Sequence, residues 1–148
     1  MSDSLSGMYQ QVILDHAKQR TGEGLLAKPD ASHHELNPTC GDEITLEVAV
    51  EPGTDRIAAV GWKGNGCSIS MASASIFAGT AAGLTVTELQ AKIDAFREMM
   101  RSRGTGEPDE EVLEDAVVFH GTSKYVMRVK CAMLAWVAAE AAVAKIPS

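Results

Sequence analysis

Ile44-Thr45-Leu46-Glu47-Val48-Ala49-Val50-Glu51, then Pro52-Gly53-Thr54-Asp55, then Ile57 to Trp62 is the stretch that decides the fold. Ile44, Leu46, Val48 and Val50 alternate with Thr45, Glu47, Ala49 and Glu51, the period of two that marks a half-buried strand. Pro-Gly-Thr-Asp is a turn, because proline presets φ and glycine accepts positive φ. The mainly apolar run from Ile57 to Trp62 resumes extended chain, so the two runs pair as an antiparallel hairpin. The rest of the chain reads as helices and loops. A helix, a hairpin and then several helices predict an α+β fold, a small antiparallel β-sheet with helices packed on one face, spanning residues 1–148 as a single domain.

Upstream of the hairpin, Leu5, Met8, Tyr9, Val12, Ile13 and His16 recur at the spacing of one face of an amphipathic helix. His16 continues that stripe and reads as a half-buried packing residue. From Arg20 to Asn37 the periodicity fades into Gly22, Gly24, Pro29 and polar residues, which predicts a long loop. His33 and His34 lie in it, close to Cys40. They are alternative metal ligands or solvated residues, and the second is preferred, since neighbours in extended chain point opposite ways.

Downstream, Gly64-Asn65-Gly66-Cys67 lets the backbone turn sharply, and the small-residue segment Ser68 to Ala82 reads as a helix able to pack tightly on the sheet. Cys67 then sits at a helix N-terminus, where the dipole favours a thiolate. The glycines do not make a nucleotide loop, since neither the third glycine of a dinucleotide fingerprint nor a Gly-Lys-Ser/Thr ending is present. Thr85 and Glu88 form a capping box before Leu89, Ile93, Phe96 and Met100, another amphipathic helix. Pro108 with Asp109, Glu110 and Glu111 starts a short helix ending near Ala116. His120-Gly121-Thr122-Ser123 is a turn. A final helix from about Lys124 to Lys145 places Met127, Cys131, Leu134, Ala138 and Ala141 on one stripe.

The 148 residues are 45% hydrophobic and 22% charged, and 13 basic against 20 acidic residues give a net charge of −7. That sign argues against a nucleic-acid backbone or an anionic membrane as partner. No run of eighteen apolar residues and no basic, apolar leader is present, so a cytoplasmic protein is expected. In that reducing setting three cysteines point to metal binding or catalysis in preference to disulfides.

Asn37-Pro38-Thr39-Cys40-Gly41-Asp42 carries a thiol and a carboxylate two positions apart, half of a metal site. Cys67 and Cys131 are far away in sequence. If all four converge, three thiolates and a carboxylate make a workable tetrahedral set for Zn²⁺. Such a set sums to about −2 around the ion, and Arg128 and Lys130 are the local cations able to offset it. Taken alone, Cys131 reads first as a small core residue, since free Cys is among the most buried types.

NPTCGD, GNGCSISMASAS and RVKCAMLAW resemble, in order, the three cysteine motifs of the IscU/NifU-like iron-sulfur cluster assembly family. Within it the chain looks like the SufU type. The helical segment around Thr85 to Arg103 resembles that type's insertion, and Lys130 stands where scaffold-type members carry a histidine. The resemblance implies a zinc site at Cys40, Asp42, Cys67 and Cys131. It also implies that Cys40 takes sulfur from the persulfide of a SufS-type cysteine desulfurase, and that downstream iron-sulfur assembly proteins receive it. A desulfurase histidine is expected to replace Cys40 at the metal on docking.

Three functions compete: a zinc-dependent sulfurtransferase, a scaffold holding a transient [2Fe-2S] cluster on the same thiolates, and a zinc-stabilised interaction module without catalysis. A thiol hydrolase is disfavoured, because no Cys and His pair is placed as nucleophile and base.

Overall fold

The computed structural model describes residues 2–38 and 40–146, without the side chains of residues 2–6. Its elements are α1 (Ser2–Gln19), β1 (Ala31–Asn37), β2 (Asp42–Val50), β3 (Ile57–Asn65), α2 (Ser68–Ala81), α3 (Val86–Arg101), α4 (Glu110–Leu113) and α5 (Val126–Val143). Short 3₁₀ segments at Glu114–Phe119 and Gly121–Lys124 join α4 to α5. The described residues are α+β, with one antiparallel sheet in the order β1-β2-β3.

The expected hairpin is present: β2 pairs with β3 from Glu43↔Asn65 to Val50↔Ile57, with a register shift at Ala49/Val50. Ile44, Leu46 and Val48 are buried, and the residues between them are more exposed. The loop expected over residues 20–37 is only half right. Its second part forms β1, which pairs with β2 from Asn37↔Asp42 to Ala31↔Val48. Ala-Ser-His-His-Glu-Leu-Asn carries little strand propensity of its own. Its backbone is recruited because the second edge of β2 needs partners for its N–H and C=O groups. The first part of the stretch straps the free edge of β3, where Gly24 N–H donates to Trp62 O at 2.6 Å and Trp62 N–H donates to Gly22 O at 3.2 Å. Gly22 holds φ +81° there, and a Cβ on it would meet Ala78 at 2.6 Å.

Helix α2 owes its close packing to small residues and to buried serines, Ser70, Ser73 and Ser75, whose hydroxyls find partners. Ser73 donates to Ala132 O at 2.6 Å and accepts from Trp136 Nε1 at 2.9 Å; Ser75 accepts from Thr21 N–H at 2.9 Å and pairs with His16 Nδ1 at 2.9 Å. His16 is therefore the packing residue expected. Tyr9, Val12 and Ile13 of α1 pack on the core, whereas Met8 is 64% exposed and does not join the stripe; the Leu5 side chain lies outside the described residues.

The Thr85–Glu88 capping box starts α3, and Leu89, Ile93, Phe96 and Met100 are buried as their spacing predicts. Phe96 stacks on Trp136 at 4.1 Å between centroids, which fixes α3 against α5. At α4 the expectation needs correcting. Asp109, not Pro108, caps the helix, which ends at Leu113 before the chain continues as 3₁₀ to Phe119. The final helix is shorter than expected, and Met127, 49% exposed, leaves its buried stripe.

Arg97 Nη2 donates to Glu140 Oε1 at 2.6 Å, and Gln90 Nε2 donates to Oε2 at 2.8 Å. Arg97 holds the Glu140 carboxyl below its ordinary range, against burial, with Gln90 helping. A folded pKa below the unfolded value adds stability above the unfolded pKa, and that stability fades as pH falls through the folded one. Arg97→Gln is accordingly expected to cost about 0.5–1 kcal/mol at neutral pH. Urea titrations should show the gap closing as the medium is acidified below pH 4.5, the ordinary value of the carboxyl.

Candidate metal centre

The period of β2 places Asp42 on the same face as Ile44, Leu46 and Val48, so its carboxylate points inward and is only 4% exposed. Asn37 and Asp42 are paired, which leaves Pro38, Cys40 and Gly41 at the tip of the β1–β2 hairpin. The tip is closed by Gly41 N–H donating to Asn37 O at 2.8 Å, with Gly41 at φ +76°, and it carries Cys40 exposed. Cys67, also exposed, is the N-cap residue of α2. A Cβ on Gly66 before it would lie 2.8–3.0 Å from Asp42 side-chain atoms, so glycine is what lets the two approach. Cys131 is buried more than a turn inside α5.

Three of these side chains meet in one place, and Cys67 adjoins them at Asp42. Ligand atoms of Cys40, Asp42 and Cys131 lie within 4.8 Å of one another. Cys131 Sγ is 3.7 Å from Cys40 Sγ, and Cys67 Sγ is 3.4 Å from Asp42 Oδ2. A tetrahedron with metal–sulfur bonds of about 2.3 Å and metal–oxygen bonds of about 2.0 Å has S···S edges of about 3.8 Å and S···O edges of about 3.5 Å. Both observed contacts match such edges; Cys40, Asp42 and Cys131 form the mutually close trio, and Cys67 adjoins it at Asp42, so the donor types suit a small tetrahedral ion with Cys67 as the outlying member.

Burial would raise the Asp42 pKa, but hydrogen bonds from Ser70, Cys67 and Cys131 and from the Cys67 backbone outweigh it and hold the carboxyl below its ordinary range. Burial pushes the Cys131 thiol well above its ordinary value, and the neighbouring Cys67, Cys40 and Asp42 add to the effect. A neutral thiol beside a carboxylate is the arrangement expected where several anions would otherwise crowd together; a bound cation removes that penalty.

His33 and His34 lie on β1 and stay out of this cluster. His33 pairs with Glu35 at 2.9 Å, and His34 is exposed. Arg128 and Lys130, expected to offset the charge, are exposed and make no hydrogen bond or ion pair with the four side chains; Arg128 lies over the Tyr125 ring at 4.8 Å. Ser70 takes a place that sequence reasoning did not give it, donating to Asp42 Oδ2 at 2.5 Å. Its position three residues after Cys67, on the same helical face, was the available signal. No helix of the described residues is long and apolar enough to cross a membrane.

Comparison with known proteins agrees with this arrangement. The family described as NifU-like N terminal domain matches residues 8–132. The chain is 36% identical to the iron-sulfur cluster assembly scaffold protein IscU of Streptococcus pyogenes serotype M1, over 94% of this chain and 84% of that one. It is 37% identical to the zinc-dependent sulfurtransferase SufU of Bacillus subtilis (strain 168), over 96% and 93%. Among solved structures, FiSufU from the thermophile Fervidobacterium Islandicum AW-1 superposes with a TM-score of 0.81 at 32% identity, covering 89% of this chain and 93% of that one. The N-terminal part of a NifU-like protein from Brucella abortus gives 0.83 at 26% identity, covering 93% of each. A match that runs from α1 to the residue after Cys131 shows that the chain belongs to the NifU-like N-terminal domain family, the IscU and SufU proteins of iron-sulfur cluster assembly.

Proposed function

We propose that this protein is a zinc-dependent sulfurtransferase that accepts persulfide sulfur from a SufS-type cysteine desulfurase and hands it to downstream iron-sulfur assembly proteins. The observation that carries the reading is the close trio of Cys40, Asp42 and Cys131, with Cys67 beside Asp42, in which one thiol, Cys40, stands exposed on a hairpin tip. The Bacillus subtilis relative named a zinc-dependent sulfurtransferase supports it. Bound by Cys40, Asp42, Cys67 and Cys131, Zn²⁺ would keep thiols deprotonated and tie remote segments together, adding its binding free energy to folding.

The transfer itself belongs to Cys40. Its thiolate attacks the terminal sulfur of the partner's persulfide, an S–S bond forms on Cys40 as the old one breaks, and the partner cysteine leaves as thiolate. A second exchange with an acceptor thiol returns Cys40 to its starting state. No outside oxidant or reductant enters either step. Cys131 is too buried for the role, and Cys67 is tied to Asp42 and Ser70 by its amide and sulfur. Thiols must stay reduced between turnovers, which suits the cytoplasm.

The second reading is a [2Fe-2S] scaffold. Soft thiolates favour it, as does the scaffold name of the Streptococcus pyogenes relative. A purely structural zinc module fits less well, because two of its cysteines are exposed and one ligand is a carboxylate. Metal analysis of protein purified without added metal, together with desulfurase turnover with and without the protein, separates the three. Zinc with stimulated turnover supports the transferase; iron and acid-labile sulfide support the scaffold; zinc without stimulation supports the module.

Asp42 supplies a further prediction. Its hard oxygen is the weakest match to a borderline-soft ion, so Asp42→Ala should retain more zinc than a cysteine variant while sulfur transfer is lost. Zinc content by atomic absorption beside a single-turnover transfer assay checks this. Unimpaired transfer would remove Asp42 from the mechanism.

A further inference from the structure

Asp42 is almost fully buried, and every protein group around it has a defined place. Ser70 Oγ–H donates to Oδ2 at 2.5 Å, the Cys67 amide donates to Oδ1 at 3.3 Å, and Cys67 Sγ stands 3.4 Å from Oδ2. Ser70 is itself 1% exposed, and its hydroxyl lies 3.5 Å from Cys67 Sγ. The other buried serines of α2 face away from this point: Ser73 is engaged with α5, and Ser75 with His16 and the Thr21 amide. The hydroxyl at position 70 makes its shortest contact with the Asp42 carboxylate and a longer one with Cys67 Sγ. The same turn of α2 that presents Cys67 also fixes the rotation of the carboxylate.

We propose that Ser70 is a positioning residue for metal binding, holding the Asp42 carboxylate so that it faces the sulfurs of Cys40 and Cys131. Both ends of the carboxylate are gripped, Oδ1 by a backbone amide and Oδ2 by a hydroxyl, so it cannot turn toward the protein interior or rotate freely. Lone pairs not spent on these two donors are left for the ion. Gly66 belongs to the same device, since its missing Cβ leaves the space that the carboxylate occupies. Partners of this kind orient a ligand and tune its basicity, and removing one costs on the order of 10–100-fold in metal affinity. The proposal rests on the metal site of the preceding reading and is independent of sulfur transfer.

The test is Zn²⁺ affinity measured by chelator competition on the full chain, for wild type, Ser70→Ala, Asp42→Ala and the double variant. Ser70→Ala is expected to weaken binding about 10–100-fold in the wild-type background. In the Asp42→Ala background it should change affinity by no more than about 2-fold, because only its long 3.5 Å contact with Cys67 Sγ remains. A merely structural serine would lower affinity equally in both backgrounds, and that result, or no loss from Ser70→Ala alone, overturns the proposal. Should Ser70→Ala fail to fold, Gly66→Ala reaches the same carboxylate from an exposed position and at ordinary φ. It is expected to show the same loss and the same non-additivity, and additive behaviour there counts equally against the proposal. The d–d bands of the Co²⁺ form should shift in both variants, whereas a change in helix stability alone would leave them in place. A wild-type chain that binds no Zn²⁺ overturns the metal reading itself, a different result from additivity.

Discussion

Cys40→Ser is expected to accept no sulfur, with transfer from a cognate desulfurase falling on the order of 10³-fold or more, the scale on which loss of a covalent nucleophile slows a reaction. A serine hydroxyl cannot exchange with a persulfide, and neither remaining cysteine is placed to replace the lost thiol. Cys131 is 5% exposed inside α5, and Cys67 is engaged at the start of α2. Incubation with desulfurase and free cysteine, alkylation of thiols and peptide mass spectrometry reads the outcome directly. Wild type should carry the extra sulfur on Cys40. Sulfur on Cys67 or Cys131 with none on Cys40, or a Cys40→Ser protein that still stimulates the desulfurase fully, would sink the assignment.

Cys131→Ser should have the largest effect on stability. Wild-type protein with zinc at about 100 times Kd gains about 2.7 kcal/mol over the metal-free chain. In a domain of this size that is a rise in melting temperature on the order of 5–10 °C. The serine variant keeps the volume but loses a thiolate from the buried end of the site, so its melting should no longer respond to zinc. In the metal-free protein its hydroxyl can donate to the Asp42 carboxylate as the thiol does, so the melting temperature without zinc should change little. Calorimetry of both proteins with and without Zn²⁺ checks the two parts separately. A variant that kept full zinc and an unchanged transition would remove Cys131 from the ligand set.

What the chain discloses about itself depends on whether a residue's role is local. Whereas α5 buries more than the expected stripe and leaves Met127 out of it, the β2–β3 hairpin, the capping box of α3 and that helix's buried stripe follow from spacing and turn chemistry, which neighbouring residues determine among themselves. β1 does not. Its polar sequence carries no strand signal, and only the unmet hydrogen bonds of β2 make it extended. The meeting of Cys40, Asp42, Cys67 and Cys131 is of the same kind. Spacing brought Cys40 and Asp42 to one loop, but contact across 91 residues between Cys40 and Cys131 comes from the packing of α5 on the sheet. The resemblance to known motifs stood in for that missing geometry. Ser70 escaped notice because its i+3 spacing from Cys67, the one signal it carries, is shared with no motif and gains meaning only once Asp42 is known to lie beside both. Arg128 and Lys130 were singled out by nearness in sequence, and the helix turns both to solvent.

The hairpin tip that carries Cys40 is anchored on one side by the Asn37↔Asp42 pair and closed by the Gly41 hydrogen bond to Asn37. Cys40 stands two residues from Asp42, a span of at most about 7 Å. Cargo on so short an arm stays where it was loaded, unlike cargo on a long swinging arm that travels between two stations. Donor and acceptor must therefore visit the same spot in turn, each leaving before the other arrives. Kinetics of the ping-pong type follow, with parallel lines in double-reciprocal plots, and an excess of empty acceptor should act as a competitive inhibitor against the donor.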